Sequence, residues 1–561
     1  MQKLMEAVRA GLNHNSVEIP QTDYSRTYFD KEEQATVFLS FSENGARARV
    51  LQGRGGSLEA AVQDAVKKGE GVTADAVKLD ILTGIQPVNK DTSWININRH
   101  ALTYKRREDG LMFGDRISPL MFLPEEVEAY GMIRGGKLQQ EHIFRAFDKH
   151  QLLTEDRLSK EIITEEWHDV YKFRTHSFYI DDDGYRELFR GHRVFNELQA
   201  GDLKEAVKLS RDNYFTQAVN AQGKFVYSFQ PQDNQVPKGY NILRHAGTAY
   251  SMLEIQEFFP EEQLQRTIEK TIRYLLKKVK RIEVNGTDAQ VIVENDNIKL
   301  GGNGLGIIAL AQYTKVTGDR QYIPLMRDMA KWMLTIQDET GKFSVHKQIY
   351  SSKEHTDFVS HYYSGEAILS LVRLYQVDPD EAWLDAAEGE ANYLIHRRDS
   401  KETKKTITHD HWLLYALNEL HQERPKEDYA AHSYFIAEAI MDTQRLDQHE
   451  VDREWVGSYE MKGIPRSTPT ACRTEGLGAV YRLAQRQEKK DMAERCRHAM
   501  AEAVKFQLQM QFQPESVLYL DHKKLCLGAL HESLTSYEIR NDYTQHNISS
   551  FLSLYKILLE K

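Results

Sequence analysis

Six short segments of one kind recur in the last two-thirds of this chain, and they constrain its fold more than any other feature. Each joins a polar cluster to a run of small and apolar residues: Tyr240 to Tyr250, Leu300 to Leu310, Ser360 to Leu369, Thr408 to Leu414, Ala471 to Ala479 and Arg540 to Ile548. They are spaced roughly 50 to 70 residues apart, the signature of a repeat architecture. Between them lie amphipathic, charged stretches: Leu203–Ala218, Glu261–Val279, Gln321–Gln337, Asp380–His396, Asp428–Met441 and Asp491–Leu508. Apolar residues three and four apart give each of these one buried and one solvated face. The six polar-mouthed segments are poorer in charge and are expected to be buried on most sides. Buried helices alternating with half-exposed ones predict an inner and an outer ring: a mainly α fold, an (α/α)6 toroid of six hairpins over residues 201–561. Gln222-Gly223-Lys-Phe225 and Thr340-Gly341-Lys-Phe343 repeat a C-cap glycine followed by an extended run, which supports a true repeat.

With 561 residues, the chain exceeds one ordinary core. Residues 1–140 read as a small α+β domain. Ala35 to Phe41, Ala46 to Leu51 and Ala76 to Thr83 alternate as strands, and Ser57 is placed to cap a helix over Leu58 to Lys68. Residues 141–200 read as a connector dense in charge and aromatics, including the run Glu165 to His168. Asp181-Asp182-Asp183-Gly184 lacks the spacing of a calcium loop and reads as a solvated turn.

A net charge of −10 gives no basic footprint, so no nucleic-acid partner is expected. The apolar runs fall short of the ~20 residues of a membrane span, and the start lacks a signal peptide's apolar core. The expected location is cytoplasmic. Three cysteines, Cys472, Cys496 and Cys526, without CxxC spacing imply reduced thiols.

In such a toroid every inner helix begins at the same end, so six mouths face one cup. Gathered there are Arg244 and His245; Asn303; His361, Tyr363 and Glu366; Asp410, His411 and Trp412; Arg473 and Glu475; and Arg540, Asp542 and His546. Carboxylates, imidazoles and guanidiniums in one concavity supply acid, base and oxygen anchors together. Tyr240, Tyr362, Trp412 and Tyr543 offer flat faces for sugar rings. Arg244 and Arg540 could equally pair with Glu475 and Asp542 to hold helix mouths together. His409 and His411 could bind a metal with His361 or His546, yet nothing in the spacing requires it, and no metal or other cofactor is expected.

The repeat plan and mouth chemistry of residues 200–561 resemble the six-hairpin glycosidase superfamily and, more loosely, the N-acylglucosamine 2-epimerases. The order of strands, the Gly53-Arg-Gly55-Gly56-Ser57 helix start and the Phe122-Leu-Pro-Glu-Glu126 segment resemble an AMMECR-type domain, although that family's cysteine in this turn is missing. The first resemblance implies a carbohydrate-active enzyme, a glycoside hydrolase whose carboxylate pair lies among Glu366, Asp410, Glu475 and Asp542, with Asp410 and Glu366 the first choice, His411 beside them, and the other cup residues holding a sugar or oligosaccharide. The second implies an epimerase or isomerase working through His245, His411 and His546. A third reading is a non-catalytic glycan- or peptide-binding accessory protein in polysaccharide biosynthesis whose N-terminal domain docks a protein partner.

Overall fold

The computed structural model describes residues 1–13, 18–43, 45–69, 71–87, 104–113, 120–134, 137–149, 170–447, 449, 451–459 and 463–560. The chain forms two compact units. One comprises Met1–Phe195 with Gln230–Gln235 and Phe512–Leu527, the other Asn196–Phe229, Val236–Gln511 and Gly528–Lys561.

In the first unit, helix α1 (Gln2–Asn13), strands β1 (Ala35–Ser42) and β2 (Arg49–Gly55), helix α2 (Leu58–Lys68) and strand β3 (Ala76–Pro87) come first. Strands β4 (Gly110–Phe113) and β5 (Leu120–Phe122) follow, then helix α3 (Pro124–Ala129), a hairpin of β6 (Ile133–Arg134) and β7 (Lys137–Leu138), and helix α4 (Gln140–Lys149). Strands β8 (Val170–Asp181) and β9 (Gly184–Leu188) complete an antiparallel sheet of order β2-β1-β3-β8-β4-β5, with β9 also on β8. Ser57 caps α2 through the Ala60 amide at 3.1 Å. The connector expected over 141–200 is corrected in its second half: β8 pairs with both β3 and β4 and so lies inside the sheet. The run Glu165 to His168 lies outside the described residues. Asp181 to Gly184 is the β8–β9 turn, with the Asp183 amide on Asp181 Oδ1 at 2.9 Å.

Alternation along the strands sorts side chains by face. Val37, Leu39, Phe41, Val77, Leu79, Ile81, Phe178 and Ile180 pack with α1 and α2 into an apolar core. The opposite face carries Ser40, Lys78, Asp80 and Ser177, all buried. Lys78 Nζ lies 2.6 Å from Asp80 Oδ2 and 3.1 Å from Glu125 Oε1, and Ser177 donates to Asp80 Oδ1 at 2.5 Å. Tyr519, from the returning segment, lies under Lys78 Nζ at 5.7 Å from its ring centroid and hydrogen-bonds Ser40 at 2.9 Å.

The second unit is the toroid. Its inner helices are α6 (Ile242–Phe258), α8 (Leu300–Thr317), α10 (Tyr363–Val377), α12 (His411–Glu423), α14 (Ser467–Arg486) and α16 (Asn541–Leu559). Each packs on the next, and α16 returns to α6. The outer helices are α5 (Ala200–Leu209), α7 (Glu262–Leu276), α9 (Ile323–Thr335), α11 (Glu381–Tyr393), α13 (Glu427–Met441) and α15 (Lys490–Leu508). Helices α7, α9, α11, α13 and α15 pack on the inner helix before them, while α5 packs on α16 and completes the sixth hairpin from the far end of the chain. Short strands at the mouths were absent from the sequence reading: β10 (Ser228–Phe229), β11 (Val279–Val284), β12 (Thr287–Glu294), β13 (Asn297–Lys299), β14 (Lys347–Ile349), β15 (His531–Ser533) and β16 (Ser536–Arg540).

The recurring Gly-Lys-Phe loops have one physical cause. Gly341 adopts φ +87°, and a Cβ there would lie 2.6 Å from the Gly389 carbonyl oxygen on α11; Gly223 repeats this at φ +86° against Lys270 on α7. The phenylalanine two residues on, Phe343 or Phe225, is buried. A close approach also explains the small residues of the inner helices: a Cβ on Gly365 of α10 would meet the Leu413 nitrogen of α12 at 2.5 Å. No helix among the described residues is long and apolar enough to cross a membrane.

Candidate functional site

Alternating helix direction puts all six inner-helix N-termini at one end of the ring. The opposite end is a cavity of about 710 Å³ lined by the C-terminal halves of the same six helices. At the N-terminal end, α12, α14 and α16 bring His411, Cys472, Glu475 and His546 together. One donor atom from each lies within 4.8 Å of the others.

The cluster begins from local helix geometry. Cys472 and Glu475 are three apart on α14 and therefore share a face. His546 stands on the sixth residue of α16, and its Nδ1 lies 2.8 Å from Glu475 Oε1. The other carboxylate oxygen of Glu475 accepts from the Tyr415 hydroxyl at 3.3 Å. Tyr415, one turn after His411, also lines the cavity at the far end. Burial works against a charge on His546, but Cys472 and Glu475 outweigh it and hold its pKa well above the ordinary value. Burial raises Glu475 to about 7 against the opposing pull of His546. A single proton shared by the pair therefore rests on His546, the more strongly proton-binding partner.

His411 is the counterpart. It is 3% exposed, and neither ring nitrogen has a hydrogen-bond partner. Burial, reinforced by His546 and Arg473, holds its pKa well below the imidazole norm, so it is neutral. Its ring stands edge-on to that of His546 at a centroid separation of 5.2 Å and lies 4.9 Å from Trp412. Tyr362, 45% exposed, has its ring 6.1 Å from His411. A neutral imidazole with free nitrogens facing an imidazolium held by a carboxylate is a base and an acid side by side.

The two carboxyls expected to do the chemistry sit differently. Asp410 is fully buried as the N-cap of α12, its Oδ1 accepting from the Trp412 and Leu413 amides at 3.0 and 3.2 Å. Its Oδ2 has no partner. Burial raises it to about 7, opposed by Arg398 and the two amides. Glu366 is 3% exposed with Oε2 unpartnered, and burial followed by Asp410 raises it well above the usual carboxyl range. Asp410 thus spends one oxygen on the helix cap, and both carboxyls are buried with one oxygen each left unpartnered.

Asp410 allows a direct test. Its folded pKa of about 7 exceeds the ordinary 3.8. The folded state thus holds the proton more tightly, and this stabilisation is whole below pH 4 and lost as pH rises toward 7. Asp410→Asn retains a good cap and has no proton to lose. The unfolding free energy of the wild type is expected to fall relative to that of the variant between pH 4 and 8, by on the order of 2–4 kcal/mol. A constant offset across that range would show that Asp410 does not titrate in this window.

The other predicted residues divide into two groups. His245 is fully buried, with Nδ1 on the Tyr240 hydroxyl at 2.7 Å and Nε2 on the Thr271 carbonyl at 2.9 Å. It faces the outer layer, and both its nitrogens are occupied. Asn303 is buried between the Ile292 amide and the Lys299 carbonyl, each at 2.9 Å. Both side chains spend their polar atoms on partners inside the fold. Asp542 binds Arg540 through both oxygens, at 2.5 and 3.0 Å, and Arg244 Nε at 3.0 Å. Arg244 also donates to the Tyr227 hydroxyl. This is the ion-pair alternative for the two arginines, although Arg244 stays 32% and Arg540 23% exposed. Arg473 donates to His409 Nδ1 at 2.9 Å, which separates His409 from His411. His361 is exposed on the loop before α10. Tyr363 is half-buried, its hydroxyl pKa raised by burial and then by Glu366, with Arg244 opposing.

Sequence reasoning read Cys472 only as a reduced thiol and omitted Tyr415. The available signals were the Cys472-x-x-Glu475 spacing and the one-turn offset from His411 to Tyr415.

No protein-family model matches the sequence, and no curated protein matches it. The AMMECR-type resemblance of the first quarter thus gains no support. Solved structures show a similarity over about two-thirds of the chain. D-mannose isomerase matches at 12% identity and TM-score 0.49, over 64% of this chain and 97% of that one. Cellobiose 2-epimerase from Bacillus thermoamylovorans B4167 matches at 11% and 0.48, over 64% and 99%. The GH76A alpha-1,6-mannanase from Salegentibacter sp. HEL1_6 matches at 12% and 0.45, over 64% and 100%. Likeness at this level assigns no reaction.

Proposed function

We propose that this protein is a carbohydrate-active enzyme that interconverts sugar isomers, an epimerase or aldose–ketose isomerase acting at the carbon beside a carbonyl. The observation that carries this reading is the pairing of neutral, unpartnered His411 with His546, which Glu475 holds in its charged form. His411 removes the carbon-bound proton, the electron pair moves into an enediolate, and His546 protonates the developing oxyanion. Return of a proton to the same carbon from the other face gives the epimer; return to the neighbouring carbon gives the constitutional isomer. Trp412 and Tyr362 supply aromatic faces for the ring, and the exposed edges of Arg244 and Arg540 supply donors for hydroxyls.

Hydrolysis is the second reading: it would use Glu366 and Asp410, each with one unpartnered buried oxygen, as general acid and as base or nucleophile. The test is incubation in D2O with a panel of aldoses, ketoses and reducing disaccharides, read by NMR. Deuterium at the carbon beside the carbonyl is expected in both substrate and product. New reducing ends from oligosaccharides without carbon-bound deuterium would replace this reading with hydrolysis. Ligand-induced thermal stabilisation with no turnover would point to the accessory binding protein.

A further inference from the structure

We infer that His411, Cys472, Glu475 and His546 form a binding site for one zinc-class divalent ion. The inference rests on placement. Three inner helices converge two imidazoles, a thiol and a carboxyl, and the four donor atoms already lie within 4.8 Å of one another. Zinc bonds of about 2.0–2.3 Å put tetrahedral donors roughly 3.5 Å apart, so side-chain rotations close the remaining gap. The spread between this bound geometry and 4.8 Å is about the reach of a χ change at each residue. His411 supplies the second observation: a buried imidazole with both nitrogens unpartnered is a ligand in search of a Lewis acid or a proton.

The donor set selects the metal. One sulfur and two imidazole nitrogens favour zinc, cobalt or nickel over magnesium and calcium, which prefer oxygen. Cys472 and His546 keep a small exposed edge, 12% of the His546 side chain, which leaves a narrow way in. On binding, the Cys472 S–H and the proton held between His546 and Glu475 leave to solvent, and no oxidation change occurs. If the isomerase reading is right, ion and turnover exclude one another, because an imidazole nitrogen bonded to metal cannot carry a proton. This clause alone rests on that reading.

The experiment uses the full chain, stripped with a chelator and titrated with Co2+ alone. The expected result is one equivalent bound, with the near-ultraviolet thiolate-to-cobalt charge-transfer band and the intense visible bands of a tetrahedral site, both removed by Zn2+. Cys472→Ser loses the charge-transfer band, and Glu475→Gln or His411→Asn weakens binding by more than the roughly 10- to 100-fold that loss of a residue merely supporting a ligand costs; far-ultraviolet circular dichroism confirms that each variant is folded. Absence of the band at stoichiometric Co2+, or its persistence in Cys472→Ser, would overturn the site. The deuterium assay repeated on stripped and Zn2+-loaded protein separates the two ideas. Turnover in stripped protein that stops on loading supports mutual exclusion. Turnover that survives loading or requires the ion overturns mutual exclusion, and the second of these outcomes leaves the metal site in place while removing the histidine mechanism.

Discussion

His411→Asn is expected to lower turnover by about 10²–10⁴-fold, the usual worth of a general base, while sugar-induced thermal stabilisation persists. The ring nitrogens of His411 make no hydrogen bond in the fold, so the substitution breaks none. The loss should therefore appear in kcat and in the rate of deuterium entry, with little change in ligand affinity. His546→Asn should do the same. Glu475→Gln should cost less, because it leaves the acid in place but removes the carboxylate that holds its proton. A His411→Asn protein that still exchanges carbon-bound hydrogen at the wild-type rate would remove His411 from the chemistry.

The second large effect is on stability, in the first unit. Lys78 is fully buried, and its pKa stays well above the amine norm because Asp80 and Glu125 outweigh the burial that opposes its charge. Lys78→Met leaves both carboxyls without their shared cation. Removing one partner of such a buried network costs about 3–5 kcal/mol, a drop of roughly 6–20 °C for a unit of this size. Calorimetry of the full chain should show this in one transition while the other stays in place. The further change of Asp80 and Glu125 to apolar residues should recover much of the loss, since the penalty comes from uncompensated charge. If Lys78→Met alone melts like the wild type, the network does not bear on stability.

The ring was legible in the sequence because a repeat states its period. Six small-residue segments alternate with six amphipathic ones, and an inner helix must shed bulk where a neighbour's backbone approaches, as Gly365 does against Leu413. The mouths were legible for the same reason: Arg244, His411 and Asp542 lie in the first turn of helices that a toroid must gather at one end, with His546 in the second turn and Glu475 in the third turn of theirs. What a given mouth residue does there was not. His245 adjoins Arg244 in the chain, but successive helix positions point about 100° apart, so His245 enters the outer layer while Arg244 reaches Asp542. Asp410 and His411 separate in the same way, one into a cap and the other into the cluster.

The sequence by itself determined which residues share a face. Along β3, alternation put Val77, Leu79 and Ile81 on one side and Lys78 and Asp80 on the other, a pattern that reads as half solvated. Only the tertiary structure decided what covers the second side: Tyr519 arrives from more than 400 residues further along the chain and buries Lys78 and Asp80. The His411–His546 pairing has the same origin, as does the closing of the ring by α5 on α16. Local periodicity is set by backbone geometry within a few residues, whereas burial, charge state and reactivity depend on neighbours that the chain supplies from a distance.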